Sequence, residues 1–185
     1  NQFFHCEFEM IGDLDKLIII VENYIKTLSE GVLLMSNIIN KISEFPDQTR
    51  KALRNIIKVK KFPEITFDEA VNLLVGNKKN NLVKFTVNGR EITQEGEIEL
   101  LKLLDAKTPV WIKYFDRDRT SFYQKPDPKD NNKTINADLL FSSLVDNSFA
   151  GEIIGAGQRQ DKSSEIYESL KRQKISSKPY KWYIN

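Results

Sequence analysis

The sequence predicts an α+β fold in which a mainly antiparallel sheet is flanked by helices, and three observations carry that prediction. Short runs such as LVKFTV and PVWIKYF have the length and residue types of strands, alternating or β-rich between turn signals. Longer stretches between them space their apolar residues for one helical stripe, as in Leu17, Ile20, Val21, Tyr24, Ile25 and Leu28. The strands fall mostly in neighbouring pairs joined by turns, which favours hairpins over the strand-helix-strand units of a parallel sheet.

Taken in order, QFFHCEFEMIG near the start alternates large and polar residues and predicts a strand. Its face of Phe3, His5, Glu7 and Glu9 sets an aromatic beside acids, which suits either solvent or the wall of a pocket. Asp13 or Asp15 is placed to cap a helix through Leu28 that is expected to continue past Gly31 towards Ile42. From Phe45 to Lys61 a second helix and its following turn carry Arg50, Lys51, Arg54, Lys58, Lys60 and Lys61, read as a solvated face in preference to an RNA contact. Pro63 interrupts the chain, and Thr66 with Glu69 forms a capping box ahead of a helix through Val71, Leu74 and Val75. LVKFTV then gives a strand to Val87, Asn88-Gly89 a turn, and Glu95 to Leu104 another amphipathic helix. Val110 to Phe115 reads as a strand, Asp116 to Arg119 as a turn and SFYQK as the returning strand of a hairpin. Lys125 to Lys133 reads as a loop by its prolines, aspartates and asparagines, and Asn136 to Phe141 returns to the sheet. Ser163 or Ser164 is placed to cap a helix from Glu165 to Gln173, and Pro179 precedes the aromatic end YKWYIN.

The stretch GEIIGAGQRQ, Gly151 to Gln160, concentrates the chemistry. Glu152 and Arg159 stand seven positions apart, so a regular strand points them to opposite faces. A bulge in the small run Gly155, Ala156, Gly157 would change the parity and let a ligand approach the backbone. The acid could then hold a metal ion on the side where the arginine takes a carboxylate or amide in its planar fork. An edge strand with two solvated charges fits the same residues.

The 185 residues suit one domain with a substantial core, and 28 basic against 26 acidic residues leave a net charge of +2, too small for an electrostatic nucleic-acid footprint. A single cysteine, Cys6, excludes a disulfide framework and a four-thiolate zinc site, and its default compartment is reducing, which fits a cytoplasmic location. The longest apolar run, Leu17 to Val21, is far too short to cross a bilayer, and no membrane association is expected.

Several segments together resemble the catalytic domain of class II aminoacyl-tRNA synthetases of the aspartate, lysine and asparagine subgroup, with most likeness to asparaginyl enzymes. QFFHCEFEM resembles the second half of that class's motif 2, and FPEITFDEAVNLL the segment after it. NGREITQEGE, PVWIKYF, SFYQKPDP, NADLL, GEIIGAGQR and YKWYI follow in the family's order. The resemblance implies one partial catalytic domain over residues 1–185, cut within motif 2 at the start and before motif 3 at the end, and on its own inactive. By the same likeness the motif 2 arginine that binds the α-phosphate precedes Asn1, and the motif 3 arginine follows Asn185.

Residue by residue, the resemblance implies that Phe3 stacks on the adenine of ATP and that Asp138 and Glu152 hold magnesium against its phosphates. It implies that Arg159 grips the side-chain oxygen of the amino acid and that Glu7, Tyr123 and Gln158 line the same pocket. Glu7 stands where the asparaginyl enzymes have Glu and the aspartyl ones Asp. A carboxylate there accepts from an amide NH2 and repels a second carboxylate, which favours asparagine over aspartate. The implied reaction joins amino acid and ATP into an aminoacyl adenylate for transfer to tRNA, with no side chain acting as nucleophile or base, in a homodimer. A stand-alone amidating relative that starts from aspartate and a non-catalytic module are the other readings. The chain departs from the family pattern at Gln2, His5, Cys6 and Gly96, and in extra residues between Asp138 and Glu152.

Overall fold

A computed structural model describes residues 4–145 and 149–184. Its centre is a four-stranded sheet in the order β1 (Glu64–Thr66), β4 (Val110–Lys113), β7 (Asn136–Phe141) and β8 (Gly151–Gly157). β1 runs parallel to β4, while β4 with β7 and β7 with β8 are antiparallel, so the expected sheet is present with one parallel edge.

Alternation along the strands divides the core in two. Trp111, Ala137 and Leu139 pack with Leu14, Ile18 and Ile25 of α1 (Leu14–Leu34) and Ile56 of α3 (Pro46–Lys58). Val110, Ile112 and Leu140 face the other way, onto Phe67, Ala70, Val71 and Leu74 of α4 (Phe67–Gly76) and Leu100 and Leu101 of α5 (Gln94–Leu103). The sheet is therefore a middle layer. Glu22, buried on α1, is satisfied inside the first core, accepting from the Phe62 backbone N–H at 3.1 Å and the Trp111 indole N–H at 3.2 Å.

Local chemistry explains the starts of α1, α4 and α5. Asp13 caps α1 through the Lys16 N–H. The Thr66 hydroxyl accepts from the Glu69 N–H at 3.2 Å while Glu69 accepts from the Thr66 N–H at 2.7 Å, the reciprocal capping box read from the sequence. Thr93 caps α5 in the same one-sided manner as Asp13, accepting from the Gly96 N–H at 3.1 Å.

Several expected elements are corrected. The helix towards Ile42 breaks at Met35, and α2 (Ser36–Ile42) turns so that Ile39 is buried. The described part of the opening segment, residues 4–12, forms no strand, because it has no ladder partner among the described residues. In the hairpin of β2 (Val83–Thr86) and β3 (Gly89–Ile92) the loop is Val87-Asn88, and Gly89 opens the second strand with φ at 117°. Residues 121–125 do not return beside β4. Their backbone bonds go to the end of the 151–160 stretch: Lys125 N–H donates to the Gln158 carbonyl at 2.8 Å, and Gln160 N–H to the Tyr123 carbonyl at 3.0 Å. The expected loop after Lys125 holds a small hairpin, β5 (Pro126–Asp127) with β6 (Asp130–Thr134). α6 (Ser163–Arg172) has no side-chain cap, since the Ser163 hydroxyl instead donates to the carbonyl of Ile184 at the end of α7 (Lys181–Ile184).

Candidate active site

The register of β7 against β8 slips between Leu139 and Leu140: Leu139 faces Ile154, but Leu140 faces Glu152. Ile153 is thus an extra residue, a bulge lying just before the small run where the sequence suggested one. Residues directly opposite in an antiparallel pair share a face. Glu152 therefore shares the face of Leu140 and Asp138, and so do Gly155, Gly157 and, by parity, Arg159. The bulge brings the acid and the arginine to one side of the sheet, the α4 and α5 side.

On that face Asp138 and Glu152 converge. A methyl group added at Gly155 would lie 3.3 Å from Glu152 Oε1 and 3.6 Å from Asp138 Oδ1, so the bare glycine keeps open the space between the two carboxylates. Burial, together with the charges of Glu152 and Glu97, pushes Asp138 up to about 8. Glu97 of α5 is the third acid here. Its Oε2 accepts from the Glu152 N–H at 3.1 Å, and burial raises its pKa as well. Among the described residues no group of three or more acid, His or Cys ligands could enclose a metal ion unaided. Two converging carboxylates do suit magnesium, which takes one or two carboxylates and completes its shell with phosphate oxygens and water.

These acids line a groove of about 240 Å³ whose other walls include Phe67, Arg90, Phe115, Arg119 and Asn136. Arg90 was not singled out by the sequence. It donates to Asp68 at 2.5 Å and to Asp116 at 2.6 Å, and Lys133 bridges the same two aspartates at 2.6 and 2.8 Å. Burial opposes ionisation of Asp116, but the Arg90 and Lys133 hydrogen bonds win and hold it well below the usual carboxylate range. Arg119 is tied to Glu91.

Arg159 stands further along the same face, with its guanidinium carbon 4.2 Å from the Tyr123 ring centre. The Gln124 and Arg159 backbones form a bridge, which sets Tyr123 beside the arginine, while Gln158 is held by backbone bonds to Lys125 and Ile135. The acid on Arg159 is Glu9, at 3.2 Å, whereas Glu7 is exposed and pairs with His5 at 3.4 Å. Asp138 and Glu152 thus form one cluster and Tyr123 and Arg159 another, while Gln158, one position before Arg159, falls by the same parity on the opposite face. Glu7 joins neither in this conformation, and Phe3 lies outside the described residues. Gly96, where the family pattern has a His, has no room for a side chain: an added Cβ would sit 2.8 Å from the Leu82 carbonyl oxygen.

No helix is long and apolar enough among the described residues to cross a membrane. The profile of the family "tRNA synthetases class II (D, K and N)" matches residues 1–185. A probable cytoplasmic asparagine--tRNA ligase of Encephalitozoon cuniculi is 30% identical over the whole chain, which covers 39% of that protein. An asparagine--tRNA ligase of the Aster yellows witches'-broom phytoplasma is 32% identical over 77% of the chain and is covered over 27% of its length. The chain thus spans well under half of these relatives. The asparaginyl-tRNA synthetase of Pyrococcus horikoshii, solved with asparaginyl-adenylate, superposes with a TM-score of 0.75 at 23% identity, covering 94% of this chain and 36% of that one. The aspartyl-tRNA synthetase of Entamoeba histolytica gives 0.62 at 20% identity, covering 95% and 33%. Both likenesses concern the fold.

Proposed function

The chain belongs to the class II tRNA synthetases of the D, K and N group, and from that premise we propose that the protein activates asparagine with ATP and passes it to tRNA. The activation step forms asparaginyl adenylate and pyrophosphate. The substrate's own carboxylate attacks the α-phosphate, so the protein contributes positioning and charge stabilisation and no nucleophile of its own.

In this reading Asp138 and Glu152 hold magnesium, which when bound neutralises charge on the phosphates as pyrophosphate departs. Gly155 sets no side chain beside either carboxylate, so both would be open to such an ion. Arg159, steadied against Tyr123, takes the side-chain oxygen of asparagine in its fork, and the substrate displaces Glu9 from the guanidinium. Glu7 is assigned the amide NH2 and Phe3 the adenine, while Gln158 supports the pocket through its backbone bonds to Lys125 and Ile135. Assembly as a homodimer belongs to the same reading, and light scattering on the full-length protein checks it.

The observation that carries the proposal is the bulge at Ile153. It gathers an acid pair suited to magnesium onto one face of β7 and β8 and, by parity, turns an arginine suited to a side-chain amide, two residues beyond β8 and bridged to Gln124, to the same side. Relatives named asparagine--tRNA ligases support asparagine as the substrate. The test is amino-acid-dependent exchange of pyrophosphate into ATP by the full-length protein. Asparagine should support exchange and aspartate should compete poorly, because a buried carboxylate facing a second carboxylate is costly unless one is protonated. Preference for aspartate would overturn the asparagine assignment in favour of an enzyme that starts from the acid.

A further inference from the structure

We propose that Glu97 is a positioning residue for the acid pair: by holding the backbone of Glu152 it fixes the β8 bulge that turns Glu152 towards Asp138. The proposal rests on the reading of Asp138 and Glu152 as the magnesium-holding pair.

The contact lies at the point where the parity of β8 changes. Glu97 Oε2 accepts the Glu152 N–H at 3.1 Å, and Glu152 directly precedes Ile153, the residue that the register leaves without a partner on β7. A bulged strand has lost part of its ladder and needs other bonds to hold its shape. The residue on the other side, Gly151, has φ at 130°, and an added Cβ there would lie 3.0 Å from the same Glu97 oxygen. Only a residue without a side chain turns the backbone so that its next N–H meets the carboxylate so closely.

Glu97 is itself held from behind. It lies in the first turn of α5, where the Thr93 hydroxyl fixes the start of the helix and Gly96 packs against the Leu82 carbonyl with no space for a methyl group. A rigid helix end therefore sets the position of a strand backbone, and through it the direction of a side chain. Partners of this kind, once removed, reduce metal affinity by about tenfold to a hundredfold.

The rival explanation is electrostatic, since a third carboxylate near Asp138 and Glu152 adds negative charge for a cation. Glu97→Gln separates the two, because its Oε1 still accepts the Glu152 N–H but the charge is gone. Glu97→Ala and Glu97→Ser both remove the bond, and either serves if the other does not fold. Two readings are taken on the full-length protein: the magnesium concentration for half-maximal pyrophosphate exchange, and deuterium uptake by backbone amides over residues 151–154. In the alanine and serine variants the magnesium requirement should rise by about tenfold or more, with the KM for the amino acid unchanged and amide exchange faster. The glutamine variant should match the parent in both. Parent-like amide exchange and magnesium response in the alanine variant, or a glutamine variant as impaired as alanine, would overturn the proposal. If the parent exchanges pyrophosphate with no amino acid, the enzymatic reading fails, and the amide exchange still decides whether Glu97 holds the bulge.

Discussion

Arg159 offers a planar fork while its face lies against Tyr123, so a lysine there keeps the charge but loses both the second donor and the stacking. Arg159→Lys should raise the KM for asparagine in pyrophosphate exchange by about tenfold to a hundredfold, the equivalent of a lost charge-assisted hydrogen bond. An unchanged KM would remove Arg159 from the pocket. Glu152→Gln preserves shape while deleting charge, and should weaken the use of ATP and magnesium with the thermal unfolding midpoint retained. Asp138 makes a pH-dependent statement. Its folded pKa, raised to about 8, exceeds the unfolded value near 3.9, so the folded state binds the extra proton between those limits. Stability is therefore undiminished below about pH 4 and falls as pH rises towards 8. Without magnesium, Asp138→Asn should unfold at a higher temperature than the parent at pH 8, by at least the 2–4 °C that about 1 kcal/mol produces in a domain of this size. The difference should vanish near pH 4. Of the residues in the two clusters, Asp138, Glu152, Tyr123 and Arg159 were legible because each sits in a segment with family likeness. Glu97 and Arg90 were not, and Glu9 only as one acid on a face suited to solvent or a pocket wall, since their roles come from contacts with distant parts of the chain: Glu97 meets Glu152, Glu9 meets Arg159, and Arg90 meets Asp68 and Asp116.

The elements that could be read from the sequence are those whose bonds are local. The capping box at Thr66 is closed within one turn, and Thr66→Ala should cost roughly 0.5–2 kcal/mol by chemical denaturation, with pyrophosphate exchange little changed because Thr66 lines neither cluster. The helix through Leu100 and the strand from Asn136 were legible for the same reason, their periodicity being carried by their own residues. Strand partners were harder. Residues 121–125, expected to be extended, instead turn at Phe122 and Tyr123, where the Gln124 N–H donates to the Ser121 carbonyl at 2.9 Å; the Lys125 amide and Tyr123 carbonyl then bond to Gln158 and Gln160, and nothing in SFYQK distinguishes that partner from β4. The bulge was foreseen in kind but sits at Ile153, ahead of the glycines, because the glycines are needed elsewhere: Gly155 for the space between two carboxylates. The break at Met35 has no proline or glycine to announce it and follows from the burial of Ile39.

At the scale of the whole molecule the sheet separates two tasks. The face of Trp111 and Leu139 is closed by α1 and α3 around the buried Glu22, while the face of Asp138 is only partly covered by α4 and α5 and leaves the groove. The α+β class II core expected from the segment order is the fold found, and the basic residues around α3 lie away from the groove lining. The central claim is that one face of β7 and β8 holds an aminoacyl adenylate, with its phosphate at the acid pair and its side chain at Arg159. The measurement that tests it most directly is a crystal structure of the full-length protein with magnesium and a non-hydrolysable asparaginyl-adenylate analogue. The account predicts the phosphate and the metal ion beside Asp138 and Glu152 and the asparagine carboxamide oxygen on the Arg159 guanidinium, with Glu9 displaced. An adenylate bound elsewhere, or bound here with Arg159 still paired to Glu9, would contradict it.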